Sequence, residues 1–429
     1  MVIILVEKIS PRIEYTFKQV FDLFLKVPYT ISQDFENVVY AQNFILNYSH
    51  NSAVKSHLHI LPVELLFEQT INQFTPEHFV KDREVKLFLN GSSQYGFDVF
   101  AAIFWMITRY EEYTAEQFDH HKRFAAKSSF AYKHGFLEIP VVDIWLNQLA
   151  AILEKEYPGF VPKQKFSITN TIDVDNAFAF KGKGFARYWG AYFRDLINGN
   201  FAVNKKRSLV LSGKEKDPFD TYEYIKSQTE STNIRTIFFH LVGKKAKHDR
   251  NIDIQSKTYR QLLVELSQWS EQGLHPSYQS NSDQFLVKEE KSWLESSLGK
   301  KIIYSRQHFL VLSFPSTYNN LIDSGIQHDF TMGFADEVGF RAGTSNTFAF
   351  FDLVSNTEKP LFITPFCVMD GTLHDYLKLD ALQAAKKVKQ LAQMLKELEL
   401  PYVSLWHNET LSESNGWEGW RSVYESQFI

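Results

Sequence analysis

Cysteine is almost absent from this chain of 429 residues, Cys367 being the single one. That excludes an intramolecular disulfide framework and any zinc site built on several thiolates. A basic excess is missing too: 46 Lys and Arg stand against 50 Asp and Glu, for a formal net charge of -4. Without a basic footprint, nucleic acid is not expected as the main partner. Long apolar runs are also lacking. The opening MVIILVEK is too short for a signal-peptide core and has no basic residues ahead of it, and no stretch reaches the length a bilayer span needs. The expectation is a cytoplasmic protein without an integral membrane segment. Internal repeats and low-complexity segments are absent as well.

What is present is an ordinary globular composition, with 44% hydrophobic and 22% charged residues. The high aromatic content of 15% suits dense cores and sugar-stacking surfaces alike, so it selects neither. At this length two domains are the natural division. The Pro/Gly cluster Tyr157, Pro158, Gly159 and Pro162 marks the boundary, giving a domain at 1–160 and another at 161–429. Before it, Met1–Val6 reads as a buried strand, and Phe97–Tyr113 as a helix with a wide apolar face. After it, strands and helices alternate. Strand signals fall at Phe166–Asp175, Arg235–Val242, Gly273–Tyr278, Lys301–Phe309, Gln327–Phe334, Leu361–Phe366 and Tyr402–His407. Repeated βα units imply a mostly parallel sheet, and seven strands favour an irregular barrel over an open sheet.

In such scaffolds the chemistry sits at the carboxyl ends of the strands. Those ends carry Asp173 and Asp175, then His275, then Arg306 and His308, then His407 and Asn408. Two acids side by side repel unless a metal, a shared proton or an arginine compensates. A carboxylate with imidazoles binds a divalent cation such as zinc and leaves a position open for water. A second carboxylate then takes the water's proton, and a histidine across the pocket protonates the leaving group. Metal-assisted hydrolysis is the expected chemistry.

These residues resemble the motifs of the polysaccharide deacetylases, carbohydrate esterase family four. ThrIleAspValAsp at 171–175 is similar to that family's T-F-D-D, with one residue inserted between the acids. The resemblance makes Asp173 the base and Asp175 a metal ligand. HisProSerTyrGln at 275–279 is similar to the H-[ST]-x-x-H motif, so His275 is a second ligand, while Gln279 stands where a histidine is expected. SerArgGlnHisPhe at 305–309 matches the R-x-P motif at Arg306, the residue that orients the base. His308 replaces the proline there and is inferred to restore the third ligand. LeuTrpHis at 405–407 makes His407 the general acid.

More closely, TIDVDNAFAFKGKG, GLHPSYQS, SRQHFL, MGFADEVGFRAGTS and SLWHN resemble a bacterial polysaccharide deacetylase-like subgroup of unassigned activity. Its barrel follows an N-terminal domain of unknown function, to which FDVFAAIFWMITRYEEY and DHHKRF are similar here. The implied fold is α/β, a distorted (β/α) barrel of the polysaccharide deacetylase type preceded by a smaller α+β domain. The implied cofactor is a divalent metal, zinc first, with cobalt, nickel or manganese as alternatives. The implied activity is hydrolytic removal of acetyl groups from an acetylated sugar or cell-envelope glycan precursor. The alternative is a non-catalytic glycan-binding or scaffold protein on a degenerate deacetylase barrel.

Arg341, in a glycine-rich loop, is a candidate to bind a carboxylate or an oxyanion, and equally a loop ion pair. Trp406 and Tyr278 complete the candidate substrate-binding residues. Asp370 reads as a turn former and His240 as a core histidine. His120 and His121 read as surface loop, and LysGlyLysGly at 181–184 as a flexible loop over the barrel mouth.

Overall fold

The computed structural model describes residues 1–91, 95–230 and 234–429, with the side chains of 185–187 left aside. The chain forms two compact units. The first comprises Met1–Lys165 together with Leu312–Asn319 and Met332–Cys367; the second comprises Phe166–Val311, Asn320–Thr331 and Val368–Ile429.

In the first unit, Val2–Val6 is flanked by Tyr29–Ser32 on one side and Phe44–Tyr48 on the other, both parallel, with Leu58–His59 beyond. A continuous apolar run such as VIILV is what a parallel strand covered on both faces requires. Against this sheet lies Val99–Ile107, a helix with every residue buried. Asp98 caps it by accepting from the N–H groups of Phe100 and Ala101. The helix expected over Phe97–Tyr113 is broken, because Arg109 adopts φ 55° before a short turn at Tyr110–Tyr113. Its guanidinium is held by Glu111 and Glu112, each at 2.8 Å.

The later segments of this unit return to its first helices. The Tyr15 hydroxyl donates to the Ala349 carbonyl at 2.7 Å, and Gln19 Oε1 accepts from the Ala349 N–H at 2.9 Å. Of Leu361–Phe366, expected as a parallel strand, residues 361–363 instead belong to an antiparallel pair made by Phe348–Asp352 and Thr357–Ile363, and the strand ends there.

Among the described residues the second unit holds seven strands: β1 Ser167–Val174, β2 Arg235–Leu241, β3 Glu271–His275, β4 Tyr304–Ser305, β5 His328–Asp329, β6 Val368–Met369 and β7 Pro401–His407. Their order across the sheet is β5-β4-β3-β2-β1-β7-β6. Among the described residues every pairing between them is parallel. The long strands at the centre bury β-branched and aromatic side chains, whereas β4 and β5 keep only two residues each in regular pairing. Strands expected to run to Phe309 and Phe334 stop short, the first in a turn where Phe309 and Leu310 take φ 60° and 54°. Among the described residues, β5 and β6 are not bonded to each other, so hydrogen bonding does not close the expected barrel.

Helices cross between the strands. Ala381–Glu397 starts on a capping box of Asp380 and Gln383 and buries Ala384, Val388, Leu391, Ala392 and Leu395, one stripe at helical spacing. Two helices that the sequence reading did not foresee, α1 Phe185–Ile197 and α2 Phe201–Leu211, follow the LysGlyLysGly segment.

Candidate metal centre

Strand register brings the polar ends of the second unit together. On β1, Asp173 is level with His407 of β7 and with Phe239 of β2, while Leu241 of β2 is level with His275 of β3. Asp175 follows one residue past the end of β1, where the chain leaves the sheet. His308 comes from the turn after β4.

Asp175, His275 and His308 each offer one ligand atom, and all three atoms lie within 4.8 Å of one another. His275 Nε2 is 3.3 Å from Asp175 Oδ1, and His308 Nε2 is 3.4 Å from Asp175 Oδ2. The second nitrogen of each ring fixes the tautomer. His275 Nδ1 lies 2.6 Å from the Arg306 carbonyl oxygen, which can only accept, so the proton sits on Nδ1. His308 Nδ1 donates in the same way to Asp249 Oδ1 at 2.9 Å. Asp249 also accepts from the Tyr278 N–H at 2.7 Å. Both Nε2 lone pairs are thereby aimed towards Asp175, the arrangement that outer carboxylates and carbonyls impose on metal-binding imidazoles.

The donor set fits a small divalent ion. Ligands at about 2.0–2.1 Å in a tetrahedron stand roughly 3.3 Å apart. Each imidazole nitrogen stands at about that spacing from one oxygen of Asp175, His275 from Oδ1 and His308 from Oδ2. Asp175 Oδ1 is buried and makes no hydrogen bond of acceptable geometry, as expected of an oxygen whose partner is an ion. Burial opposes the charge on Asp175, yet His308 and His275 hold its carboxyl well below the usual range. For His308, burial acts downward, but Asp175 and Asp249 raise it to about 9. A proton therefore competes for the position a cation would take.

Two further groups flank this set. Asp173 Oδ1 accepts from Arg306 Nη1 at 2.9 Å, and its Oδ2 is 3.7 Å from His275 Nε2. Arg306 is fully buried, anchored through Nε to the Phe330 carbonyl at 3.0 Å and stacked 4.6 Å from the Phe239 ring centroid. His407 Nε2 stands 4.0 Å from Asp175 Oδ2, and its Nδ1 donates to Asp370 Oδ1 at 2.8 Å. Burial works against its charge, but Asp370 raises the imidazole well above its ordinary value. Asp370 is fixed in turn by the His407 N–H at 2.7 Å and the Thr410 hydroxyl at 2.6 Å.

Six of the candidate site residues thus converge: Asp173, Asp175, His275, Arg306, His308 and His407. Three do not present a side chain to them in the expected way. Arg341, in the first unit, is buried and held bidentately by Glu112, Nε at 2.9 Å and Nη2 at 2.5 Å, with Nη1 on the Gly333 carbonyl. It is a structural ion pair, and no charge is left facing a ligand. Trp406 has no exposed surface; its indole N–H donates to Gln427 and its ring meets Tyr424 edge-on. Tyr278 is half-buried among His248 and Phe309, with ring centroids 4.5 and 5.4 Å away. Gln279 is exposed.

Two residues that the sequence reading did not assign to the site support it. Asp249 lies in a loop of HisAspArgAsn with no motif around it, and Asp370 has the local signature of a turn. His240 is a core residue: burial lowers it to about 4, and its Nε2 meets Gln272 Oε1 at 2.6 Å.

Residues 2–158 match a family described as a family of unknown function, DUF7033. No curated protein matches the chain. Among solved structures it is similar to a Mycobacterium smegmatis protein assigned to the polysaccharide deacetylases, with 13% identity, a TM-score of 0.39, and 62% of this chain and 84% of that one covered. A Pseudomonas aeruginosa PAO1 protein with the same assignment gives 9% identity, a TM-score of 0.39 and the same two coverages. The PuuE allantoinase gives 10% identity and a TM-score of 0.36, over 64% of this chain and 85% of that one.

Proposed function

We propose that the second unit is a metal-dependent hydrolase that removes acetyl groups from an acetylated sugar or glycan precursor. One observation carries the reading. A carboxylate and two tautomer-fixed imidazoles bring three ligand atoms within 4.8 Å of one another, with an arginine-held acid on one side and an aspartate-held histidine on the other. The motif likeness at 171–175, 275, 306 and 405–407 supports the acyl-transfer class and, within it, the acetylated sugar.

Asp175, His275 and His308 would hold the ion. A bound divalent cation, zinc first, supplies Lewis acidity toward an acyl oxygen and makes water easier to deprotonate. Asp173 is the base. Its Oδ1 is taken by Arg306, which leaves Oδ2 as the atom that receives the proton from water. The arginine fixes the angle of this carboxylate. His407 carries a proton on Nε2 and gives it to the departing nitrogen as the carbonyl carbon–nitrogen bond breaks, so that acetate and a free amine result. Asp370 holds that imidazole in one orientation and stabilises its charged form.

Elemental analysis of the purified protein beside the His275→Ala and His308→Ala variants tests the centre. Near-stoichiometric divalent metal in the wild type, lost in both variants, is the expected result. Acetate release from N-acetylated chito-oligosaccharides tests the reaction. Asp173→Asn should keep its metal and lose roughly 10²–10⁴-fold in turnover, the range of a removed general base. Protein that takes up no metal even on reconstitution overturns the proposal. Bound metal without turnover on any acetylated sugar leaves a glycan-binding role.

A further inference from the structure

The hairpin of α1 and α2 in the second unit is built inside out. Among its described side chains the buried ones are Asp195, Asn204, Arg207 and Val210, three of them polar. Arg207 donates to both Asp195 and Asn204, and Asn204 Nδ2 donates to the Tyr192 carbonyl at 3.0 Å. The apolar side chains point the other way. Phe193 is 53% exposed, Ile197 83% and Phe201 65%, with Trp189, Leu196, Val203 and Leu211 also exposed. Trp189, Phe193 and Ile197 recur every four residues and form one stripe. Single exposed apolar residues are ordinary, but a contiguous set of this size marks a surface that is covered in use.

Charge indicates the cover. Residues 181–216 contain nine Lys and Arg against two acids, in a chain whose formal net charge is -4. Asp195, one of those acids, is neutralised by Arg207. Beside the hairpin lies a cleft of about 750 Å³ whose walls include Lys183, Arg194, Lys245, Lys247 and Arg250 next to the Asp195–Arg207 pair. A second copy of this chain would set two such positive faces against each other, which repel. An anionic lipid surface is complementary to the charge, and its headgroup boundary is where exposed Trp, Tyr and Phe rings are favoured. Helices of 13 and 11 residues are too short to span a bilayer, and no described helix is long and apolar enough to do so. Such helices lie in the plane of the interface.

We propose that the α1–α2 hairpin seats this protein on an anionic membrane surface, with the stripe from Trp189 to Phe201 sunk into the headgroup boundary and the surrounding Lys and Arg on lipid phosphates. The cleft wall includes Ala179, four residues past Asp175, so that part of the wall lies within about 14 Å of Asp175 along the chain. Binding to lipid is read without turnover, so the inference stands apart from the hydrolase reading.

The test is co-sedimentation of the full chain with phosphatidylcholine vesicles, with and without phosphatidylglycerol, alongside light scattering for oligomeric state. Wild-type protein should bind only the anionic vesicles and release in high salt. Lys205→Gln/Lys206→Gln should weaken binding roughly fivefold per lysine removed. Phe193→Glu/Ile197→Glu should abolish it with the melting temperature unchanged, since both side chains face solvent. Three results overturn the proposal: no binding to anionic vesicles, binding kept by the Phe193→Glu/Ile197→Glu variant, or a wild-type dimer that this variant dissociates.

Discussion

Replacing Asp249 by alanine probes how far the candidate centre depends on a group that is not itself a ligand. Asp249 Oδ1 accepts from His308 Nδ1 at 2.9 Å and from the Tyr278 N–H at 2.7 Å. Without the carboxylate, the His308 ring is free to rotate and to exchange tautomers, and part of its population then turns an N–H towards the metal position. The negative charge that strengthens Nε2 as a donor is lost as well. Removing such an outer partner weakens metal binding by roughly 10–100-fold, equivalent to about 1.4–2.7 kcal/mol. The same change strands the Tyr278 N–H, which costs about 1–3 kcal/mol of folding stability. A zinc titration against a chromophoric chelator gives the affinity, and a thermal melt of the metal-free protein gives the second term separately. Asp249→Asn keeps an acceptor for both donors while losing the charge, so its affinity should fall between wild type and alanine. An Asp249→Ala protein that melts cooperatively and binds zinc as tightly as wild type refutes the assignment of His308 as a ligand oriented by Asp249.

Other perturbations follow from the same physical terms. Asp98 accepts four hydrogen bonds, from the N–H groups of Phe100, Ala101 and Val63 and from the Tyr48 hydroxyl. Asp98→Ala should therefore destabilise the first unit by about 3 kcal/mol in chemical denaturation, more than a simple cap, because buried donors are left unpaired. Glu290 is buried, and burial raises its carboxyl from 4.5 to about 7 despite the Ser277 hydrogen bonds. The folded chain thus holds that proton more tightly than the unfolded one. Its contribution is fully present below pH 4.5 and lost as pH rises through about 7, at most about 3 kcal/mol. Glu290→Gln should flatten that part of the stability–pH curve, and an unchanged slope between pH 4.5 and 7 would count against the assignment. A methyl group at Gly273 would meet the Phe239 ring at 2.5 Å. Gly273→Ala should cost about 1–3 kcal/mol of stability and also lower turnover, since Arg306 stacks on that ring and holds Asp173. Wild-type melting together with wild-type turnover would show that the strand yields without moving Arg306.

How much of this could be read along the chain depended on whether the determining physics was local. Asp173, Asp175, His275, Arg306, His308 and His407 could be singled out because each is polar immediately after an apolar run, a pattern that strand pairing converts into one rim. The long helix at Ala381–Glu397 was equally legible, since its apolar stripe and its start signal lie within one segment. Asp249 and Asp370 were not legible as site residues. Their importance lies in which imidazole they reach, across 59 residues to His308 and 37 to His407, and nothing in the neighbouring sequence encodes that. Arg341 shows the converse error, because a loop arginine looks available until a glutamate 229 residues away takes its Nε and Nη2 and the Gly333 carbonyl its Nη1.

The sequence by itself determined the class of elements, the α/β alternation after residue 160 and the inventory of acids and imidazoles, because hydrophobic period and strand-end polarity are short-range properties. Tertiary structure alone decided three things. Packing drew Leu312–Asn319 and Met332–Cys367 into the first unit, with an antiparallel pair where a parallel strand was expected. Proton direction in each imidazole was set by a distant carbonyl or carboxylate, which is what turns two histidines towards Asp175. In the hairpin, the charged and amide groups of Asp195, Asn204 and Arg207 satisfy one another inside, which leaves the apolar face outward. Hydrophobic period fixes that a helix has two faces; only the partners available in the fold decide which of them is buried.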